Sequence, residues 1–110
     1  MAKNDYFVIV YRILSYLYEC FKMGERPDTD MFGPDALGIN NGYWVNVMES
    51  LFNEGYIIGL TFRTPIGGVK GVKLFDLRIT QKGIEFLQEN SLMSKARDFL
   101  KTMKETIPGM

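Results

Sequence analysis

The sequence predicts an α+β domain, and three observations carry that class. Apolar residues recur at helical spacing through the first half of the chain. Two stretches between positions 56 and 79 then hold β-branched and aromatic residues around a glycine-rich turn, and helical spacing returns beyond them. With 110 residues there is room for one small domain. Apolar residues at 46% and charged residues at 24% match ordinary globular usage, so the chain can bury a core. Eight Phe, six Tyr and one Trp make that core aromatic.

Asn4 to about Met23 reads as an amphipathic helix capped by Asn4 or Asp5. Val10, Ile13, Leu14, Leu17 and Phe21 form its apolar stripe, with Arg12, Ser15, Glu19 and Lys22 opposite. Tyr6, Ile9, Tyr16 and Cys20 widen the apolar sector beyond a single packing contact, so a second element or subunit must lie against this helix. Gly24 ends it, and Glu25 to Asp35, with two prolines and three aspartates, is expected to be a loop with a short extended piece around Met31 and Phe32.

Pro34 to Leu37 starts a helical turn, with Pro at its beginning and Gly38 just past its end. Asn40 or Asn41 then caps a helix to about Glu54, burying Trp44, Val47, Met48 and Leu51; Val45 and Phe52 lie on one flank and Tyr43 on the other. Gly55 closes it. Tyr56 to Arg63 and Val72 to Ile79 read as strands. In the second, Phe75, Leu77 and Ile79 share one face and Asp76 and Arg78 the other. Thr64 to Gly71 between them, with three glycines and one proline, is a hairpin loop.

Thr80 caps a helix through Asn90 that buries Ile84 and Leu87 with help from Phe86. Gly83 in its first turn either permits a close backbone approach or is merely tolerated. Ser91 or Ser94 starts the last helix, which stops at Pro108-Gly109. Leu92, Ala96, Phe99, Leu100, Met103 and Ile107 occupy one side of its wheel, beside a basic stripe of Arg97, Lys101 and Lys104.

A helix, a short turn, a second helix, a hairpin with a glycine-rich tip and further helices follow the order of a winged helix-turn-helix. In that fold a three-helix core packs on a small antiparallel sheet, the second full helix is the usual recognition element and the hairpin tip is the wing. Here the helix-turn-helix falls at Pro34 to Glu54 and the wing at Thr64 to Gly71. The expected architecture is α+β: a winged helix-turn-helix with a three-helix core, a small antiparallel β-hairpin wing and additional C-terminal helices. Residues 1–90 form the winged-helix domain, and 91–110 an amphipathic helix packed on it or at a dimer interface.

Three stretches narrow this further: Asp35-Ala36-Leu37-Gly38-Ile39, Leu51-Phe52-Asn53-Glu54-Gly55-Tyr56-Ile57-Ile58-Gly59, and Ile79 to Asn90 with its Thr-x-Lys-Gly at Thr80, Lys82 and Gly83. Together with the closing Lys101, Lys104, Glu105 and Ile107, they resemble the YjcQ-like winged-helix family over most of the chain after Gly33. The resemblance implies a winged-helix fold and a setting in Gram-positive bacteria and their phages. It implies no biochemical activity, because the family carries no established one.

Charge tests the DNA binding that the fold suggests. The net charge is zero, from 13 basic and 13 acidic residues. Positions 1–60 hold four basic and eight acidic residues, and positions 61–110 the remaining nine and five, so the halves carry −4 and +4. No Lys or Arg occurs from Pro27 through Phe62, which contains the whole helix-turn-helix. Affinity for DNA comes largely from cations on phosphates, so an anchor must come from elsewhere.

The expected nucleic-acid contacts are therefore Asn41, Tyr43, Asn46 and Ser50 on the recognition helix, Arg63, Lys70 and Lys73 on the wing, and Lys82 at the following helix start. Double-stranded DNA is the expected partner, in a regulator-like role in a phage or mobile-element context. The alternative is a protein-interaction module of the same fold, suggested by the acidic half, Val45 and Phe52, and the apolar terminal helices. A homodimer through Leu92, Ala96, Phe99, Leu100, Met103 and Ile107 is a further expectation, since isologous dimers are the commonest oligomers.

Enzymatic readings are thin, and a non-enzymatic role without a cofactor is expected. The chain has no histidine, which removes Ser-His-Asp and Cys-His pairs and histidine-held zinc or haem. Asp28, Asp30 and Asp35 miss the EF-hand order and read as turn and capping carboxylates. Gly67-Gly68 before Lys70 lacks the Ser or Thr and the helix of a P-loop. Cys20 reads as a buried inert thiol. The longest aliphatic and aromatic run, Phe7 to Tyr11, is far short of the ~20 residues of a membrane helix, and the N-terminus does not read as a signal peptide. A cytoplasmic location is the expectation.

Overall fold

The computed structural model describes residues 1–103. Eight elements follow in order: α1 (Tyr6–Met23), α2 (Thr29–Phe32), α3 (Pro34–Leu37), α4 (Asn41–Asn53), β1 (Ile57–Arg63), β2 (Gly71–Ile79), α5 (Gln81–Glu89) and α6 (Ser91–Thr102). The fold is α+β, with helices around one two-stranded antiparallel sheet.

α1 is the axis of the molecule. Its buried residues run nearly round the helix: Val8, Ile9, Val10, Tyr11, Ile13, Leu14, Ser15, Leu17 and Cys20. It contacts α2, α4, α5, α6 and β2, so the over-wide apolar sector is filled from within the chain. One position of the expected stripe and one of the expected outer face change sides. Phe21 is half exposed, while Ser15, expected outside, is buried and bonded to Tyr11; Cys20 is buried as expected. α6 covers the Tyr11 and Ser15 side of α1, which rotates the buried sector toward it.

The segment expected to be a loop with an extended piece at Met31 and Phe32 instead winds into α2. Asp28 caps this turn by accepting from the Asp30 backbone N–H at 2.9 Å. Fully buried Phe32 stacks on Tyr16 of α1 and tilts against Trp44 of α4, with ring centroids 5.8 and 6.1 Å apart. The Trp44 indole N–H donates to the Phe32 carbonyl at 3.0 Å, and the Tyr16 hydroxyl accepts from the Asp28 N–H at 2.9 Å. Those anchors hold α2 between two long helices, where an extended strand would carry Phe32 away from both. α3 follows as the sequence predicts, with Pro34 at its start and left-handed Gly38 after its end.

The sheet carries one irregularity that decides which side chains face the core. Ile57 pairs with Ile79 and Ile58 with Arg78, but Leu60 pairs with Leu74, so Phe75, Asp76 and Leu77 lie opposite Gly59 alone. Gly59 has φ +88°, and a Cβ there would sit 1.8 Å from the Asp76 carbonyl oxygen. The inward phase flips across this bulge on both strands: Ile57 and then Leu60 on β1, Leu74 and then Leu77 on β2. Phe75, expected to share the core face of Leu77 and Ile79, is consequently 58% exposed. Asp76 and Arg78 keep their shared outer face and pair at 2.9 Å.

Thr80 joins the sheet to α5. Its hydroxyl accepts from the Gly83 N–H and donates to the Gly55 carbonyl. Gly83 is needed for close approach, since a Cβ there would lie 2.3 Å from the Tyr56 carbonyl oxygen. Asn90 caps α6, which lies on α1 and α5 and buries Met93, Ala96 and Leu100. Residues 91–103 therefore share the core of residues 1–90. The apolar face expected at a dimer interface is largely consumed there: Ala96 and Leu100 are at most 1% exposed, Leu92 and Phe99 are half-buried, and only Met103 stays open. Met93, fully buried, carries packing that the wheel did not assign to it. Ile107 and Lys104 lie outside the described residues.

Candidate nucleic-acid interface

α4 and the hairpin form the surface on which most of the expected contact residues fall. α4 begins at Asn41 because Asn40, in extended conformation, accepts from the Tyr43 N–H at 2.8 Å. Trp44, Val45, Val47, Met48 and Leu51 turn into the core, which leaves Asn41 and Asn46 exposed and Ser50 half-buried on the outer side. Val45, expected on the flank, is only 3% exposed.

β1 runs back along α4, and two contacts fasten the hairpin to it. The Phe52 and Phe62 rings meet edge to face with centroids 5.7 Å apart. The Lys70 ammonium pairs with Glu49 and lies 5.8 Å from the Phe62 ring centroid. Glu49 is the one carboxylate within α4, so this ion pair leaves the exposed side of the helix polar and uncharged. It also withdraws Lys70 from the cations expected to meet phosphate.

Arg63 and Lys73 are exposed on the outer face of the hairpin. Arg63 pairs in register with Gly71, and Thr61 with Lys73, which makes the two cations diagonal neighbours across the strands. Two other expected contacts sit differently. The Tyr43 hydroxyl is committed to the Asn4 carbonyl at 2.7 Å, tying the start of α4 to the residues before α1. Burial is the main cause that pushes this phenol above the ordinary tyrosine value of 10.0. Lys82 lies over the Tyr56 ring, 5.6 Å from its centroid, with its chain 3.7 Å from a Cβ placed on Gly55. It stands beyond the C-terminal end of α4, away from Arg63 and Lys73.

Two features escape reading along the chain. Glu49 is a hairpin anchor as well as a surface carboxylate, and its partner is 21 residues away. The Tyr43–Asn4 bond spans 39 residues and ties the segment before α1 to the start of α4. Neither pairing leaves a periodic signal in sequence. Among the described residues no group of three or more Cys, Asp or Glu is placed to hold a metal ion. No described helix is long and apolar enough to cross a membrane.

These features define a small α+β protein in which a helix with an exposed polar side has a hairpin clamped beside it. The profile of the YjcQ protein family matches residues 11–106, and the chain belongs to that family. No curated protein and no solved structure matches it.

Proposed function

We propose that this YjcQ-family protein is a winged-helix, non-enzymatic DNA-binding protein. α1, α3 with α4, and α5 form the helical core, α4 is the recognition helix and the β1–β2 hairpin is the wing. The observation that carries the reading is the double clamp of Phe52 on Phe62 and Glu49 on Lys70, which holds wing and recognition helix as one surface. Asn41, Asn46 and Ser50 offer base-edge and phosphate hydrogen bonds without a free carboxylate between them, and Arg63 and Lys73 supply the phosphate anchor. A regulator-like role inside the cell suits such a protein.

With two cations available, binding is weak and of low charge order. Titration of a random duplex at low salt should give saturable binding, and log K should fall against log salt with a slope of about −2. Arg63→Ala with Lys73→Ala should flatten that slope by about 2. No binding at roughly tens of micromolar protein would overturn the reading, since non-specific DNA affinity is expected within that range at moderate salt.

A protein-interaction module of the same fold is the second reading, and one observation favours it. Phe21, Met23 and Phe75 are half or more exposed around the end of α1 and the sheet bulge. Phe21 and Phe75 border a cleft of about 580 Å³ between Gly24–Pro27 and the outer edge of β2.

A further inference from the structure

The hairpin tip presents the two most exposed large apolar side chains of the described residues, Ile66 at full exposure and Val69 at 78%. Ile66 is not on a loose loop. The Gly68 N–H donates to the Pro65 carbonyl at 2.9 Å, Gly67 takes the left-handed φ of +71° that the turn requires, and the Pro65 ring sits against Gly68. The Pro65 carbonyl and the Gly68 N–H close the turn, so Ile66 stands at its second position. Below it, the clamp to α4 sets the direction of the whole hairpin. An exposed apolar apex on a hydrogen-bonded turn, flanked by Pro65 and Gly67 and with Arg63 and Lys73 behind it, has the chemistry of a wedge.

We propose that Ile66 inserts from the minor groove between neighbouring base pairs and kinks the duplex. The preferred ligand is then DNA with a deformable pyrimidine–purine step at the wing. Apolar side chains that enter the minor groove unstack a step and bend the duplex, and TA and CA steps yield most readily. This inference rests on the DNA-binding reading and adds to it the mode of contact and the class of sequence preferred. An anionic lipid surface is the less favoured partner, because the hairpin is clamped beside α4, whose exposed Asn41 and Asn46 offer base-edge hydrogen bonds and no apolar surface to a bilayer.

The test compares the full chain with its Ile66→Ala variant on two short duplexes labelled at both ends for energy transfer, one with a central TA step and one with a central A-tract. The wild type should bend the TA duplex by more than about 20° and prefer it. Ile66→Ala should melt like the wild type, bind the TA duplex about tenfold more weakly, equal the wild type on the A-tract and leave both duplexes straight. Binding without a bend, or a bend that survives Ile66→Ala, overturns the wedge and leaves the DNA-binding reading standing. Failure to bind either duplex overturns both. Ile66-dependent sedimentation with phosphatidylserine vesicles, together with an unbent duplex, would assign the tip to a membrane instead.

Discussion

Two glycines carry more of this fold than their size suggests. Gly59 holds φ +88° with the Asp76 carbonyl where its Cβ would be, so Gly59→Ala meets backbone strain and a backbone clash together. The expected loss is at least ~2 kcal/mol, read by urea denaturation. Gly83 reverses the usual helix rule. Alanine in a helix normally gains ~1 kcal/mol over glycine, but at Gly83 its Cβ would meet the Tyr56 carbonyl oxygen at 2.3 Å. Gly83→Ala should therefore destabilise, and a neutral or stabilising result would show that α5 can shift away from β1.

Tyrosines set the alkaline limit. Burial pushes the phenols of Tyr11, Tyr16, Tyr43 and Tyr56 above the ordinary 10.0. A raised folded value means the native state holds these protons more tightly than the unfolded chain. Their contribution is thus fully present below pH 10.0 and is lost as pH rises through the folded values. Denaturation midpoints measured across pH should fall steeply above that point, and with no histidine in the chain no histidine titration intervenes near neutrality.

Among the elements, α2 and the hairpin show how long-range contacts override local pattern. Prolines and aspartates between Glu25 and Asp35 announce a loop, yet Phe32 between Tyr16 and Trp44 winds part of that loop into a turn. The hairpin is legible as two strands and a tip, but its attachment to α4 is not, because Glu49 and Lys70 belong to different elements. Both partners are about a third exposed, so their pair contributes little stability, ~0.5–1 kcal/mol in a double-mutant cycle. Its larger effect is local. Glu49→Gln should speed amide hydrogen exchange at residues 64–70 while global stability stays within ~1 kcal/mol. Unchanged exchange would mean that apolar packing, including Phe52 on Phe62, holds the hairpin without the ion pair.

At the scale of the whole molecule, the decisive fact is that α6 serves the core of its own chain. Leu100 and Ala96 are sealed against α1, so Leu100→Ala should cost ~2–5 kcal/mol. The denaturant midpoint of both forms should not depend on protein concentration, as it would if this face joined two copies. Helical spacing identifies which residues of α6 are apolar, and the broad sector of α1 says that something must cover it. Periodicity is a property of one element at a time and cannot say whether the cover comes from the same chain or another.

The sequence by itself determined the order of every element but α2, most of their ends and the α+β class. Those features follow from near neighbours: Asn40 and Thr80 cap within three residues, Pro34 and Gly38 bracket α3, and apolar spacing repeats within each helix. Tertiary structure alone decided the bulge at Gly59 that turns Phe75 outward, the inward place of Ser15, the helical turn at Phe32 and the neutralisation of Glu49 by Lys70. Each depends on atoms brought together from distant positions. Close packing and charge pairing act on distance in space, which the order of residues along a chain does not record.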